Sequence, residues 1–468
     1  MHSQKETLIH FVGIGGIGMS GIAEVFANQG YMVTGSDLVE SDATKKLRQL
    51  GVRVTLGHSA ENVRGAHVIV VSSAVQKTNP EIVEGKHLRI PIIPRAEMLG
   101  ELMRGKVGIA VAGSHGKTTT TSMLSTVLVS AGVDPTLVIG GKVDSFGGNA
   151  KLGKGRVVIA EADESDGSFL HLPATYGIVT NIDNDHLDHF GTLSAIEDAF
   201  VDFVGKLPFY GLAVVCGEDP GIKRCMNRWT KPFFTYGFSE EWDLYAQSIE
   251  CRGLGSRFDV FLRENGQTSS LGEITLSVPG KHNVLNALAS IAIALRLNIP
   301  FPAIKKGLLE FKGVKRRFDI RWHNEELQRA IVDDYGHHPT EITATLEAAK
   351  GYWPGRIISV FQPHRYSRTL NCRDGFLSAF SQSDIVLVTD IYSAGEEPIP
   401  GVDAATLVAD MKKVARPPQE IIYGGDLPST LNLVKSLFSD GDLILCLGAG
   451  TITRLPDQVV AVKEVHEG

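Results

Sequence analysis

No stretch of this 468-residue chain comes near the roughly 20 consecutive apolar residues that a membrane-spanning helix needs. The polar opening Met1–Thr7 runs straight into a strand-like segment, so no secretory signal peptide is expected. Cysteine is scarce and scattered. Cys216, Cys225, Cys251, Cys372 and Cys446 form no C-x-x-C pair, which argues against a disulfide framework and against a zinc knuckle. Positive charge is not in excess either: 46 Lys and Arg face 53 Asp and Glu, a net charge of −7. That balance lacks the electrostatic footprint of a general nucleic-acid or membrane-surface binder. What these absences leave is the expectation of a cytoplasmic globular protein, 43% hydrophobic, with 50 glycines suited to many tight βα turns.

Apolar strand-like runs alternate with longer helix-like segments, the pattern of an α/β protein with largely parallel sheets. The length suggests about three domains. The first, residues 1–105, opens with a strand at Leu8–Val12. The second, 106–313, opens with a strand at Val107, and its later part, Asp243 to Val278, alternates apolar and polar residues in the manner of an antiparallel sheet. The basic run Lys312–Arg317 separates it from a third αβ block, 314–468.

Each block carries a loop with chemistry in it. In the second, Val107–Ala112 ends in Gly113-Ser-His-Gly-Lys-Thr-Thr119, where a strand, a Gly-rich turn and a helix start make a phosphate cradle. Backbone N–H groups there hold anionic oxygens, Lys117 reaches a terminal phosphate, and Thr118 offers a hydroxyl to Mg²⁺. Val111 stands where the usual first glycine of that pattern belongs. In the first block, Gly13-Ile-Gly-Gly-Ile-Gly18 follows a strand, and Asp37 comes 19 residues after Gly18. This is the dinucleotide fingerprint, and any ligand with a diphosphate and a ribose, a UDP-sugar included, suits it.

Glu161 ends a buried-type strand beside the phosphate loop, the place for a Mg²⁺ ligand, whereas Asp163, Glu164 and Asp166 read as a solvated loop. His186 and His189 with Asp185 and Asp188 leave three readings open: a zinc cluster, a second Mg²⁺ or Mn²⁺ site, or a polar capping loop. His282, Asn283 and Asn286 stand at the start of an Ala/Leu-rich helix, where amides read an adenine edge or cap the helix. In the third block, two loops after strands hold Asp334, Tyr335 and His337, then Arg365 and Arg368. They offer a base near neutral pH and bidentate carboxylate binding.

Taken together and in order, these strings resemble the Mur ligase family over essentially the whole chain. They include Gly13–Gly21, Ala112–Thr120, Glu161–Asp166, Asp185–Asp188, Gly280–Asn283, Arg316–Asp319, Asp333–Pro339 and Gln362–Arg368. The resemblance implies a Rossmann-like N-terminal UDP-sugar domain, a central P-loop ATPase domain, and a Rossmann-like C-terminal domain closing over an amino-acid site. Within the family it points to the branch that uses ATP to join L-alanine to UDP-N-acetylmuramate. The tripeptide-adding recycling branch is the alternative.

By that resemblance Gly15, Gly16, Ile17 and Gly18 bind the UDP diphosphate, with Asp37, Ser72 and Ser73 lining the site. Gly113, Ser114, His115, Gly116, Lys117, Thr118, Thr119, His282, Asn283, Asn286, Arg317 and Asp334 bind ATP. Thr118, Glu161 and His186 hold Mg²⁺ or Mn²⁺. Tyr335, His337, Arg365 and Arg368 meet the amino acid or the intermediate, with His337 orienting or deprotonating the amine.

Sister ligases carry a carbamylated lysine about 14 residues after the histidine matched by His186; Phe200 stands there, so none is expected here. Two readings from other classes leave features unexplained. An NAD-dependent oxidoreductase built on the first loop does not account for Lys117, Glu161 or His186. A P-loop binding protein does not account for the sugar-nucleotide block or the His and Arg loops.

Overall fold

The computed structural model describes residues 6–72, 74–143, 148–165, 167–414 and 418–464. It is α/β throughout, as the alternation of segments implies. Five parallel strands, β1 (Leu8–Val12), β2 (Met32–Asp37), β3 (Arg53–Leu56), β4 (Val68–Val71) and β5 (Ile92–Pro94), form a first sheet in the order β3-β2-β1-β4-β5. The order reverses between β1 and β4, and in such sheets ligands bind beyond the carboxyl ends of the strands at that point.

A second sheet runs β12-β11-β10-β6-β9-β7-β8. Its strands are β6 (Val107–Ala112), β7 (Thr136–Val143), β8 (Gly148–Lys151), β9 (Val157–Glu161), β10 (Tyr176–Val179), β11 (Leu212–Cys216) and β12 (Phe233–Gly237). From Ile109 to Ala112 β6 is wholly buried, which explains its unbroken apolar run: a parallel strand covered on both faces has no polar side. Beyond β12 follow β13 (Leu244–Arg252), β14 (Gly255–Glu264) and β15 (Gln267–Leu276), joined in turn by two-residue connections. Connections that short join only antiparallel neighbours, so the expected antiparallel part is present.

The third sheet has the order β16-β17-β21-β18-β19-β20. It comprises β16 (Asp319–Asn324), β17 (Arg329–Asp334), β18 (Arg356–Phe361), β19 (Ile385–Thr389), β20 (Glu420–Gly425) and β21 (Asp442–Leu447), and only β16 is antiparallel to its neighbour. Both faces of this sheet are covered. Along β18, Ile357 and Phe361 enter one core and Ile358 and Val360 the other, the alternation that a pleated strand dictates. Each such fully buried side chain contributes roughly 1.5–3 kcal/mol.

The chain divides into two compact units. One takes Met1–Tyr245, Phe261–Leu271 and Leu285–Glu310, and the other takes Ala246–Val260, Gly272–Val284 and Phe311–Gly468. All five cysteines are free, with Cys216, Cys225 and Cys446 buried. Burial pushes the Cys216 thiol up to about 12, so it behaves as a small apolar group. Among the described residues no helix is long and apolar enough to cross a membrane.

Candidate active site

In the first unit, β1 delivers the chain into Gly13–Gly16, and the helix Ile17–Asn28 starts directly after. The end of β2 lies beneath this loop. Ser36 O accepts from Gly13 N at 2.8 Å and Ile14 N at 2.9 Å, while Gly15 N donates to Asp37 Oδ2 at 2.7 Å. Asp37 therefore shapes the loop itself. A Cβ on Gly18 would stand 2.4 Å from Arg95 Nη1, so glycine is what lets that guanidinium lie over the start of the helix. Arg95 also pairs with Asp163 at 3.5 Å. Ser72 follows β4 half-buried, its carbonyl accepting from Val75 N at 3.1 Å. Ser73 and the side chain of Ile17 lie outside the described residues.

The second loop joins β6 to the helix Lys117–Ser130 and is fixed by the segment after β10. Thr180 Oγ1 donates to His115 O at 2.6 Å, His115 N donates to Asn181 Oδ1 at 2.8 Å, and His115 Nε2 meets Asp183 Oδ2 at 2.9 Å. Asp183 N donates to Ser114 Oγ at 2.9 Å. Gly113 has φ +127°, and a Cβ there would be 2.1 Å from Thr180 Oγ1. On the other side Asn286 packs against the loop: its Oδ1 accepts from Thr120 Oγ1 at 3.1 Å and would lie 2.7 Å from a Cβ on Gly116. Thr119 is buried in the first turn of the helix.

Thr118 Oγ1 donates to Glu161 Oε2 at 3.1 Å, which brings a hydroxyl and a carboxylate together at the mouth of a phosphate loop. That is the donor set a hard divalent cation takes alongside phosphate oxygens.

Glu164 corrects the sequence reading. It is 1% exposed, not solvated, and both its oxygens accept from Lys117 Nζ at 2.8 Å. Lys117 Nζ also donates to Gly113 O at 2.6 Å and Ser114 O at 3.2 Å. Burial by itself would depress the Lys117 pKa; the charges of Glu164 and Asp163 outweigh it and hold the ammonium protonated. His186, in left-handed backbone with φ 57°, puts Nε2 3.9 Å from Glu164 Oε1 and 3.7 Å from Asp185 Oδ2.

The side chain of Asp188 lies outside the described residues. Among the described residues no group that includes His186 or His189 gathers three ligand atoms within 4.8 Å, and the His189 ring packs edge-on against Phe190. Phe200 is fully buried, its ring centroid 5.3 Å from that of Phe169.

In the second unit the loops after β17, β18 and β21 come together because β21 lies between the other two strands. Gln362 Nε2 donates to Thr451 Oγ1 at 3.1 Å, and Arg316 Nη2 donates to Gly448 O at 2.6 Å. Asp334, 5% exposed, accepts from Phe318 N and Gly336 N, each at 2.7 Å, and from Thr345 Oγ1 at 3.2 Å. It thus anchors these loops, and burial raises its pKa. The Tyr335 ring is covered by Arg316 and Arg317 at 4.8 and 5.0 Å, and Arg317 Nη1 bonds Glu341 Oε1 at 3.3 Å.

His337 Nδ1 lies 3.0 Å from Tyr335 O and 3.5 Å from Glu341 Oε2. Both partners only accept, so Nδ1 carries the proton and Nε2 is the lone-pair nitrogen of the neutral ring. Arg365, φ 69°, starts the helix Tyr366–Asn371 with its Nε 4.0 Å from Glu396 Oε1, and Arg368 Nη1 lies 3.3 Å from His364 Nδ1. Two cations, a basic imidazole and Tyr335 thus share the carboxyl edge of one sheet. Asn283 donates through Nδ2 to Pro279 O at 2.7 Å. His282 has its pKa pushed down to about 4 by burial and by the Arg317 charge.

Comparison with known proteins decides the family. Three family models match in sequence order: the Mur ligase family catalytic domain over residues 8–107, the Mur ligase middle domain over 111–294, and the Mur ligase glutamate ligase domain over 316–450. The chain belongs to the Mur ligase family. It is 51% identical to the UDP-N-acetylmuramate–L-alanine ligase of Trichlorobacter lovleyi over 97% of this chain and 98% of that one. The enzyme of the same name from Geotalea daltonii is likewise 51% identical, over 97% of each. Among solved Mur ligases, UDP-N-acetylmuramate-alanine ligase from Thermotoga maritima superposes with a TM-score of 0.80 at 32% identity, covering 98% of this chain and 99% of that one. A murein peptide ligase from Psychrobacter arcticus, 24% identical with a TM-score of 0.69 over 97% and 98% of the two chains, shares the fold.

Sequence reasoning missed Glu164, Arg95, and the Thr180–Asp183 brace of the phosphate loop. The signal for the brace was available: Thr180 follows a strand that pairs with β6, so its next residues had to meet the loop after β6.

Proposed function

We propose that this Mur ligase joins L-alanine to the lactyl carboxylate of UDP-N-acetylmuramate at the expense of ATP, in the cytoplasm where these solutes are made. The observation that carries the reading is 51% identity along 97% of the chain to ligases of that name. The residues supply a coherent mechanism. Gly15 to Gly18 hold the UDP diphosphate on backbone amides at a helix start, with Ser72 and Asp37 beside it. Gly113 to Thr119 cradle the ATP phosphates; Asn283, Asn286 and His282 serve the adenine side, and Arg317 and Asp334 the remainder of the nucleotide.

Lys117 takes the γ-phosphate charge as the carboxylate oxygen attacks phosphorus; ADP leaves and an acyl phosphate forms. Thr118 and Glu161 would hold Mg²⁺ or Mn²⁺, with His186 assigned to it by the family resemblance, and the ion would supply neutralisation of phosphate charge. Arg365 and Arg368 bind the amino-acid carboxylate, and Tyr335 walls the site. His337 Nε2 accepts the amine proton as nitrogen bonds to the carbonyl carbon and inorganic phosphate departs. Holding the reactants in line accounts for a large part of the rate.

The test is phosphate release with ATP, Mg²⁺ and UDP-N-acetylmuramate, adding L-alanine or the tripeptide L-Ala-γ-D-Glu-meso-diaminopimelate in parallel. Release with alanine is expected. Preference for the tripeptide would move the chain to the recycling branch, and release with neither would remove the sugar acid from the account.

A further inference from the structure

Four segments around the first sheet converge on one carboxylate. Glu81, in the first turn of the helix Pro80–His87, is 0% exposed. Its Oε2 accepts from Ser36 Oγ at 2.6 Å and lies 3.1 Å from His58 Nδ1. Its Oε1 accepts from Asn62 Nδ2 at 2.6 Å and lies 3.7 Å from His10 Nε2. His10, 1% exposed, meets Thr34 Oγ1 through Nδ1 at 2.9 Å. Burial alone would raise the pKa of Glu81, but the nearby His10 imidazole and hydrogen bonds from Ser36 and Asn62 bring it down to about 2. The carboxylate is therefore charged at any working pH. A buried charge is costly even when paired, and a sheet already packed through Ile9, Phe11 and Val70 has no need of one for its core.

What the carboxylate holds is the floor of the glycine loop. Ser36 is 0% exposed; its hydroxyl is fixed by Glu81, and its carbonyl takes the N–H groups of Gly13 and Ile14. The next residue, Asp37, takes that of Gly15. Because an ionised Glu81 only accepts, His58 Nδ1 carries the ring proton towards it. That fixes the tautomer and orientation of an imidazole that stands just past β3 and is 17% exposed.

We propose that Glu81 is a positioning residue for the nucleoside-diphosphate end of the substrate, setting the Ser36–Asp37 strand end and the His58 imidazole, and through them the Gly13–Gly16 loop. This rests on the UDP-sugar reading of that loop. Glu81 acts through Ser36 and His58 without touching the ligand.

The test is steady-state kinetics of Glu81→Gln with UDP-N-acetylmuramate, together with equilibrium binding of UDP. The KM for UDP-N-acetylmuramate should rise roughly tenfold, with kcat at saturation within about threefold and the KM values for ATP and L-alanine within about twofold. UDP should lose affinity by the same factor, and Glu81→Asp, which keeps the charge on a shorter stem, should recover part of it. Val70→Ala loosens the same sheet's core from the position paired with Phe11, on the face opposite His10, and should lower Tm while leaving the sugar KM unchanged.

An unchanged sugar KM in Glu81→Gln overturns the proposal, and so does a Val70→Ala variant that raises it equally. If Glu81→Gln does not fold, Ser36→Ala keeps the carboxylate with its other donors; about a threefold rise is expected, and none overturns the proposal. Wild-type protein that binds neither UDP nor UDP-N-acetylmuramate would instead sink the UDP-sugar reading on which the role rests.

Discussion

Replacing Lys117 by methionine keeps the length of the side chain and removes its charge from a carboxylate that has almost no water. The Glu164 side chain is 2% exposed and that of Lys117 16%. Two loop carbonyls, Gly113 O and Ser114 O, lose their donor at the same time. Breaking a buried pair by removing one partner costs about 3–5 kcal/mol, because the other charge stays buried; the partial exposure of Lys117 places this case near 3. For a unit of this size, at roughly 2–4 °C per kcal/mol, Tm should fall by about 6–12 °C. Glu164→Gln should cost less, about 1–2 kcal/mol, since the amide still accepts and the ammonium keeps the loop carbonyls. The double variant should be more stable than the sum of the singles predicts, by about 2 kcal/mol, as expected of groups in direct contact. Thermal and urea unfolding of the four proteins completes the cycle, and phosphate release should be absent wherever Lys117 is missing. A Lys117→Met protein that melts with the wild type, or a strictly additive double variant, would refute the reasoning about this pair.

Gly113→Ala must adopt φ +127° and bring a Cβ within 2.1 Å of Thr180 Oγ1, so it should lose about 1–3 kcal/mol and raise the KM for ATP. Equal unfolding midpoints and an unchanged ATP KM would contradict the brace described after β10. His337→Gln should slow turnover by about 100-fold while single-turnover ADP formation stays within about threefold, because the residue serves the amine step. Equal loss of both partial reactions would remove the base role. His282 binds its proton near pH 4 in the folded chain and near 6.5 when unfolded. Between those values the unfolded state holds more protons, so stability should fall as pH drops from about 6.5 to 4, by about 2–3 kcal/mol, and His282→Phe should flatten that limb in pH-dependent urea titrations.

The parts legible in the sequence were those encoded locally. Continuous apolar runs such as β6 marked buried parallel strands, and glycines after them marked the phosphate and diphosphate turns. The alternation from Asp243 to Val278 became three strands joined by two-residue turns. The parts missed are non-local. Glu164 looks like any loop acid until Lys117, 47 positions away, is folded against it. Glu81 carries no pattern at all, since its partners come from segments 19 to 71 residues distant. Arg95 opens a helix as many exposed arginines do, and only the fold brings it to Asp163 and over Gly18. The His186 cluster was ambiguous for the same reason: residue types permit a metal site, but convergence of ligand atoms is a property of the fold.

The central claim is that the lactyl carboxylate of UDP-N-acetylmuramate attacks ATP at Lys117 and becomes an acyl phosphate. It is tested most directly by labelling that carboxylate with ¹⁸O and examining the inorganic phosphate released in the presence of L-alanine by mass spectrometry. The account predicts one carboxylate oxygen in each phosphate, because the bridging oxygen leaves with phosphorus when the amine attacks carbon. Unlabelled phosphate alongside completed amide product would contradict it.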